Sequence, residues 1–463
     1  MAPASKKARS SAPPETSRAL AAEILDAVER RKAYADILLD RTLRGKSLSP
    51  ADRALLTEIV YGALRWRGRI DAILARVTRE PPENMDGYVR NLLRVTLYQI
   101  FFLDKIPAYA AVNEGVELAK RRGGTRAAGF VNAIARRCLR EKERLAIPDD
   151  RGGNAARQLA AAWSHPEWLV RLWLDYFGSQ EIEALLSANN QPAPLVVRAN
   201  RLKICRDDLL RRFAAAGIDA AAAPHAPEAI ALSGASTVER LPGFEEGLFF
   251  VQSEAAQLVS YLLAPKPGER VWDASAAPGG KATHLAELME DGGEVVATDI
   301  ARRGIARIED NVRRLGLTSV RPLAADAAGE LTADLARPYD RILADLPCTG
   351  LGTLRSHPEA KWLKCEEDIQ RLSQLQRKIL DRVATRLQAG GVLVYSTCTL
   401  TRAENEDVVE DFLRRHEDYT LDNAADFLPA GAERMVRGKY FMTLPHRDNT
   451  DGFFAARLRK AAR

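Results

Sequence analysis

The chain has 463 residues, of which 46% are hydrophobic and 28% charged, and no apolar run approaches the ~18 residues that a membrane span needs. These values exclude a membrane protein and predict several globular domains of roughly 150 residues each. The cysteines are odd in number and lack Cys-x-x-Cys spacing, which disfavours a disulfide framework and a zinc site: Cys138, Cys205, Cys348, Cys365 and Cys398. We expect a cytoplasmic protein that needs no metal.

The net charge of +6 is unevenly distributed along the chain. Residues 1–150 contain 28 Lys and Arg against 19 Asp and Glu, a net charge of +9, so the remainder carries −3. A basic segment joined to a near-neutral one indicates a polyanionic partner that is bound mainly by the N-terminal part. A solvated basic surface is the alternative, and charge alone does not separate the two.

The first segment, residues 1–16, is rich in Ala, Pro, Ser and Lys and has no apolar core, which predicts a disordered tail. A mitochondrial transit peptide is the alternative, but the amphipathic apolar face of such a peptide is not apparent. Residues 17–148 are predicted to be helical throughout. Ser-Pro-Ala-Asp at 49–52 is typical of a helix start, and apolar residues follow it at helical spacing. Basic residues at 120–126 predict a loop between helices that suits phosphate contacts or is merely solvated.

A charged, glycine-containing linker at 149–154 is expected to separate this domain from a small region, residues 155–245. Within that region, residues 195–200 predict a strand. The alanine-rich stretch at 220–224 is of low complexity and predicts a surface loop.

From residue 246 to 463, short apolar strands alternate with helices, which predicts a parallel sheet with crossover helices. Six strands are predicted, at 270–272, 294–298, 320–324, 341–344, 392–396 and 453–458. The first four lead within two residues to Asp273, Asp299, Asp326 and Asp345. Ligands of open α/β sheets bind beyond the carboxyl ends of the strands, so these carboxylates predict a ligand crevice.

The segment Asp-Ala-Ser-Ala-Ala-Pro-Gly-Gly-Lys at 273–281 joins the first of these strands to a helix. Small residues let the backbone approach a ligand, and the helix start offers free N–H groups. The spacing matches neither Gly-x-Gly-x-x-Gly nor a phosphate-binding P-loop. We expect Asp299 to accept hydrogen bonds from ribose hydroxyls of an adenosine and Asp326 to accept from the adenine amino group, although a ribose-binding Asp also fits a nicotinamide cofactor.

Two cysteines lie at predicted strand ends, Cys348 in Asp-Leu-Pro-Cys-Thr-Gly and Cys398 in Tyr-Ser-Thr-Cys-Thr. Both are expected in the ligand crevice, whereas the other three are expected to be buried structural residues. A thiolate that adds to C6 of cytosine makes C5 able to attack a methyl donor, which is nucleophilic catalysis. Asp345 is suitably placed to stabilise the charge at N3, and a second thiol suits removal of the C5 proton.

The three motifs, in this order, resemble those of the NOL/NOP/Sun RNA 5-methylcytosine methyltransferases. The resemblance implies an S-adenosylmethionine site that includes Asp299, Asp326, Asp345 and the loop residues Ser275, Ala276, Ala277, Pro278, Gly279, Gly280 and Lys281. It also implies that Cys398 is the nucleophile and that Cys348 assists release. DNA cytosine methyltransferases instead use the Pro-Cys cysteine as nucleophile.

Further matches extend the resemblance over most of the chain. Arg198-Ala199-Asn200 resembles an RNA-facing Arg-Val-Asn segment, so Arg198, Asn200 and Lys203 are expected to contact RNA. The helical N-terminus is similar to a NusB-like domain. The implied architecture is an all-α NusB-like RNA-binding domain (17–148), a small α+β RNA-binding region (155–245) and an α/β Rossmann-type methyltransferase domain (246–463). Ser275 and Ser253 depart from residues common in the family, and the loop at 446–450 has no assigned role.

The expected function is S-adenosylmethionine-dependent methylation of C5 of a cytosine in RNA, with small-subunit 16S rRNA as substrate before or during assembly. The target cytosine must leave its stack, which favours a loop or bulge. A monomer without metal is expected. One alternative is an RNA-binding assembly factor with an inactive methyltransferase fold, against which the intact Cys398, Cys348 and Asp345 argue. A nicotinamide oxidoreductase is disfavoured by the missing glycine motif.

Overall fold

The computed structural model describes residues 16–146, 154–233, 238–330 and 333–462. They form two compact units that divide between Pro166 and Glu167. The predicted tail and the predicted linker at 149–154 lie outside the described residues, except for Thr16 and Asn154. Both of these residues cap helices, because their side-chain oxygens accept a hydrogen bond from a backbone N–H in the first turn.

The first unit is helical, as expected for the N-terminal domain. Its helices are α1 (Ser17–Arg31), α2 (Ala35–Gly45), α3 (Pro50–Arg65), α4 (Arg67–Val77), α5 (Gly87–Phe102), α6 (Ala108–Arg140), α7 (Lys142–Ala146) and α8 (Ala155–Trp163). Ser49 caps α3 as predicted, since its side chain accepts from Asp52 N. The central helix α5 packs against α1, α3, α4 and α6. Buried Arg94 of α5 pairs with Glu29 and Asp71, at 2.7 Å from each.

Two sequence predictions about this unit require correction. The basic segment 120–126 does contain the junction of two helices, which together make up α6, but the junction is a break at Gly124 (φ 70°, ψ −166°) and not a loop of seven residues. Glycine adopts this positive φ without a Cβ clash, so the chain changes direction at this residue between the two helical segments. Residues 155–166, assigned to the small region, lie in the first unit, where Ser164 Oγ accepts from Gly68 N at 2.9 Å.

The second unit opens with a small α+β region. Its elements are α9 (Glu167–Phe177), α10 (Ile182–Asn189), β1 (Leu195–Ala199), α11 (Arg206–Ala215), β2 (Asp219–Ala222), β3 (Ala229–Ser233) and β4 (Phe249–Val251). The four strands form an antiparallel sheet in the order β2-β3-β1-β4. Leu209 and Phe213 of α11 pack on this sheet. The predicted loop at 220–224 is therefore wrong for residues 220–222, which pair with β3.

The remainder of the second unit is the predicted α/β domain. Its elements are α12 (Glu254–Leu263), β5 (Arg270–Asp273), α13 (Gly280–Leu288), β6 (Glu294–Asp299), α14 (Arg302–Leu315), β7 (Val320–Ala324), β8 (Tyr339–Asp345), α15 (Ala360–Leu363), α16 (Glu366–Ala384), β9 (Leu387–Thr397), α17 (Glu406–Arg415), β10 (Tyr419–Leu421), β11 (Val436–Arg437), β12 (Tyr440–Thr443), α18 (Pro445–Asp448) and β13 (Phe453–Lys460). All six predicted strands are present.

Strands β5 to β13 form one sheet in the order β11-β12-β13-β9-β8-β5-β6-β7, with β10 paired to β13. Strands β5 to β9 are parallel, whereas β13 runs antiparallel between β9 and β12. The strand order reverses at β5, which pairs with β6 on one side and β8 on the other. Such a reversal opens a crevice at the carboxyl ends of the strands. Across the described ranges, no helix is both long and apolar enough to cross a membrane.

Candidate active site

The predicted cofactor loop connects β5 to α13 at the point where the strand order reverses. Ala276 N donates to Thr298 O at 2.7 Å, which fixes the loop against β6. Gly279 has φ 103°, a conformation that favours glycine. A Cβ at Gly280 would lie 3.0 Å from the Phe250 ring. The two glycines therefore let the loop turn tightly at the start of α13, whose first N–H groups have no partner within the helix.

Asp299 and Asp326 lie next along this edge, at the ends of β6 and β7. Asp299 accepts from Ala277 N at 3.3 Å and from Ala301 N at 2.9 Å. Asp326 is exposed and accepts from Ala328 N at 2.9 Å. A carboxylate has about four acceptor positions, so both side chains retain free acceptor capacity. Hydroxyl and amino donors of a ligand could use this capacity.

Asp345, at the end of β8, is held by two side chains. Lys281 Nζ donates to Asp345 Oδ2 at 2.7 Å, and Ser396 Oγ donates to Asp345 Oδ1 at 2.8 Å. Burial by itself would lower the pKa of the Lys281 ammonium, but the hydrogen-bonded Asp345 carboxylate raises that pKa above its ordinary value. Lys281 therefore stays protonated and fixes the orientation of Asp345.

Asp273, at the end of β5, is fully buried, and neither of its oxygens accepts a well-formed hydrogen bond from the described residues. Burial and the nearby Asp345 charge raise the pKa of Asp273 to about 7. A buried acceptor without a donor is costly unless it is protonated or meets a donor from outside the chain. This orphaned carboxylate beneath the loop is consistent with a crevice that receives a hydrogen-bonding ligand.

The two predicted site cysteines meet in the crevice. Cys348 Sγ lies 3.3 Å from Cys398 Sγ, and both residues are partly exposed. The hydrogen bond to Cys398, burial and neighbouring negative charge raise the pKa of the Cys348 thiol well above its ordinary value. Cys348 is therefore a thiol at neutral pH that can share its proton with Cys398.

The other three cysteines only partly match the expectation that they are buried. Cys138 is buried, and burial raises its pKa to about 12. Cys205 and Cys365 are instead exposed, because each occupies the N-cap position of a surface helix, α11 and α16 respectively. The prediction that these two are buried structural residues was wrong.

Backbone contacts at two glycines bring the start of β13 against the loops that hold Cys348 and Cys398, which we call the cysteine loops. Gly352 N donates to Cys398 O at 3.0 Å, and Gly452 N donates to Gly352 O at 2.8 Å. A Cβ at Gly352 would lie only 2.0 Å from Gly452 O. The loop after Cys348 thus needs glycine at residue 352, where it touches the backbone of the segment before β13.

Two of the three predicted RNA contacts are not available at the surface. Arg198 is fully buried and donates to Gly280 O and Glu287 Oε1, at 2.7 Å from each. Asn200 is buried and donates to Gly247 O and Leu315 O. The structure therefore corrects the expectation that Arg198 and Asn200 face RNA. Lys203 is exposed, and its ammonium donates a hydrogen bond to Glu246 O at 2.8 Å.

The loop at 446–450, which had no assigned role, ties other segments together. Its first residues form α18, and His446 Nε2 lies 2.9 Å from Glu181. Thr450 Oγ1 accepts from Ala255 N at 3.3 Å. Glu404 and Asn405, which contact both cysteine loops, were missed by sequence reasoning because no periodicity or motif distinguishes them.

Comparison with known proteins gives matches along the length of the chain. The profile described as 16S rRNA methyltransferase RsmB/F matches residues 260–459, the NusB family matches 15–140, and a ferredoxin-like domain of RsmF/B-like methyltransferases matches 165–239. The probable ribosomal RNA small subunit methyltransferase B of Bacillus subtilis (strain 168) is 38% identical over 96% of this chain and 98% of its own length.

Solved structures agree with these matches. The crystal structure of PH0851 is 28% identical and has a TM-score of 0.82, covering 97% of this chain and 99% of that one. NSun6 from Pyrococcus horikoshii, solved with SFG, is 25% identical and has a TM-score of 0.57, covering 64% and 98% of the two chains. With the crevice, the paired cysteines and the domain order in agreement, the chain belongs to the RsmB/F family of 16S rRNA methyltransferases.

Proposed function

We propose that this enzyme transfers a methyl group from S-adenosylmethionine to C5 of a cytosine in small-subunit rRNA through a covalent bond between Cys398 and C6. The observation that carries the proposal is the Cys348–Cys398 pair, with 3.3 Å between the sulfur atoms, beside the Asp345–Lys281 ion pair. A thiolate nucleophile, a partner thiol and a fixed carboxylate are the groups that this chemistry needs.

The crevice has suitable groups for the cofactor. Ser275 to Lys281 would line it with backbone N–H groups, Asp299 would accept from the ribose hydroxyls and Asp326 from the adenine amino group. Asp345 borders both the cofactor and the base. When bound, S-adenosylmethionine supplies an electrophilic methyl group.

In the first step, the Cys398 thiolate forms a bond to C6, the electron pair of the C5–C6 double bond shifts to form a C4–C5 double bond, and the pair of the C4–N3 double bond moves onto N3. A proton that bridges N3 and Asp345, whose orientation is set by Lys281 and Ser396, would neutralise the negative charge that develops at N3. The C5 atom is then nucleophilic and would take the methyl group as the bond between that methyl carbon and the sulfonium sulfur breaks, which leaves S-adenosylhomocysteine.

The product must lose its C5 proton before Cys398 can leave. Hydrogen bonding to Cys398 is the first cause of the raised pKa of Cys348, and the negative charge of Cys398 adds to it. Once Cys398 is bonded to C6, both causes disappear, so Cys348 releases its own proton to water more readily. Its thiolate then takes the C5 proton, the C6–S bond breaks and Cys398 regains its thiolate.

We propose RNA as the partner of both preceding domains. The basic N-terminal unit would bind phosphates. In the small region, Lys203 is available for an RNA contact. We take this region to begin at Glu167 in place of residue 155. An unpaired cytosine in rRNA before or during subunit assembly would reach the crevice most easily. We expect a monomer that works in the cytoplasm without a metal.

Transfer of tritiated methyl groups tests the proposal, with unmodified small-subunit rRNA as substrate and the Cys398→Ala variant as control. Bisulfite sequencing of the product should then show one protected cytosine, because a C5 methyl group slows deamination. Methylation at another atom, or methylation that persists in the Cys398→Ala variant, would contradict the assignment.

A further inference from the structure

A buried carboxylate behind the two cysteines receives an unusual number of hydrogen bonds. Glu404 lies in a short turn, Arg402–Glu404, and is not exposed. It accepts from Thr349 N at 2.8 Å, Thr349 Oγ1 at 2.6 Å, Thr401 Oγ1 at 2.8 Å and Gln376 Nε2 at 3.1 Å. A buried charge is tolerated when donors satisfy it in this way, and losing those donors would be costly.

These donors connect the carboxylate to both cysteine loops. Thr349 directly follows Cys348, and Thr399 directly follows Cys398. The hydroxyls of Thr349 and Thr399 lie 2.7 Å apart. Because Thr349 donates its proton to Glu404, it accepts the proton of Thr399. Glu404 is therefore the end of a hydrogen-bond chain that crosses from one cysteine loop to the other.

The next residue, Asn405, fixes the backbone on both sides of Cys398. Its Oδ1 accepts from Thr397 Oγ1 at 2.6 Å, and its Nδ2 donates to Thr399 O at 3.0 Å. Asn405 is also fully buried. The two neighbouring residues thus contact the segments that flank each sulfur atom without touching either sulfur.

We propose that Glu404 and Asn405 are positioning residues that lock the two cysteine loops together and so set the separation of the Cys348 and Cys398 sulfur atoms. The role of the sulfur atoms rests on the proposed function, but the locking itself does not. A misplacement of about 1 Å at reacting atoms is enough to lower a rate by about a hundredfold. Loss of the lock should therefore slow catalysis while the cofactor site, built by other residues, keeps its affinity.

Disulfide formation between Cys348 and Cys398 measures this separation directly, without any methyl transfer. Diamide takes two electrons and two protons from the thiol pair, and mass spectrometry of non-reduced peptides quantifies the linked product. In the full-length protein, we expect Glu404→Gln to form the disulfide at least about tenfold more slowly, because the amide NH₂ opposes donors that need an acceptor. The matched control is Glu417→Gln, an exposed change of the same chemistry just after α17, which should react like wild type.

Activity gives the second readout. In Glu404→Gln we expect kcat to fall by about tenfold or more while the KM for S-adenosylmethionine stays within about twofold. Thr349→Val should likewise slow disulfide formation and lower kcat. Thr349→Ser should have the wild-type disulfide rate and kcat, since serine retains the hydroxyl. If Glu404→Gln does not fold, the Thr349 pair carries the test.

A folded Glu404→Gln or Thr349→Val protein that forms the disulfide as fast as wild type would overturn the proposal. A parallel loss of cofactor affinity in these variants would also overturn it, since the effect would then be general destabilisation. If wild type transfers no methyl group but the disulfide rates still differ as expected, the proposed function fails and the positioning role stands.

Discussion

Arg198 and Glu287 form an ion pair from which solvent is excluded: Nη2 and Oε1 are 2.7 Å apart, and neither side chain is exposed. Arg198 belongs to β1 of the small sheet, and Glu287 to α13, the helix that follows the cofactor loop. Because Arg198 also donates to Gly280 O, the small sheet holds the first turn of that helix. The arginine thus supports the cofactor site from the preceding domain.

Removing one member of this pair should be strongly destabilising. We expect Arg198→Met to lower the free energy of unfolding of the second unit by about 3–5 kcal/mol, because Glu287 is left as an unpaired buried charge. The double variant Arg198→Met/Glu287→Met should lose less. Denaturant unfolding followed by tryptophan fluorescence measures both. A fully stable Arg198→Met protein with weakened RNA binding would instead support the RNA contact expected from sequence.

Asp299 should contribute directly to cofactor affinity. We expect Asp299→Ala to weaken S-adenosylmethionine binding by about 1.5–3 kcal/mol, the range for a hydrogen bond to a charged group. Calorimetry measures the affinity, and Asp310→Ala, an exposed change in α14, is the control. Equal affinities for the two variants would remove Asp299 from the site.

The two cysteines should give opposite results in denaturing gels. Cys398→Ala should abolish methyl transfer and form no covalent RNA adduct, since it removes the nucleophile. Cys348→Ala should still attack and methylate but fail to release, leaving a protein–RNA adduct that survives denaturation. Cys365→Ala, an exposed thiol, is the control. Adducts trapped in Cys398→Ala would exchange the two roles, and adducts in neither variant would leave the covalent step unsupported.

The raised pKa of Asp273 predicts a pH-dependent stability. The folded-state pKa is about 7, caused by burial and then by the Asp345 charge, against an ordinary value of 3.8. Between these values the folded chain holds a proton that the unfolded chain has lost, so stability falls as pH rises from about 4 to about 7.

Replacing Asp273 with Asn removes this titration. Relative to wild type, Asp273→Asn should gain on the order of 4 kcal/mol in free energy of unfolding between pH 4 and pH 8, as wild type loses its protonated form. Urea unfolding at a series of pH values measures the difference. A difference that does not change with pH would mean that Asp273 titrates normally.

The basic first unit should account for much of the salt dependence of RNA binding. A shortened protein that starts at Glu167 should bind S-adenosylmethionine normally but bind rRNA more weakly, with a shallower dependence of log affinity on log salt, because it neutralises fewer phosphates. Filter binding at several salt concentrations measures both slopes. Equal slopes for the full-length and shortened proteins would assign the charge asymmetry to a solvated surface.

The strands and their terminal carboxylates could be predicted from sequence because they depend on local patterns. Each of Asp273, Asp299 and Asp345 ends an apolar strand, and parallel strands bring their carboxyl ends to one edge. The pairing of Cys348 with Cys398 followed from the same rule. Motif order then indicated the family.

The predictions that failed concern residues whose partners are distant in sequence. In the sequence, Arg198 is a charged residue within an apolar strand. It can be buried because it forms an ion pair with Glu287, far along the chain. Charged residues are almost never buried unless they are paired, and a single sequence does not show the pair. Glu404 and Asn405 were missed for the same reason. At Gly124 the break between helices is shorter than the loop that two glycines in a basic segment predict.

Strand β13 follows β9 and β12 in the chain but lies between them in the sheet. During synthesis, β9 therefore leaves the ribosome with one edge unpaired, and that edge is covered only when residues 453–460 emerge. An uncovered edge is open to pairing with other chains, so this interval is when misassembly is easiest. The contact of Gly452 with the Cys348 loop forms at the same late moment. Translation order thus delays competence for methylation until the domain is essentially complete, and a nascent chain stopped before β13 would lack a finished crevice.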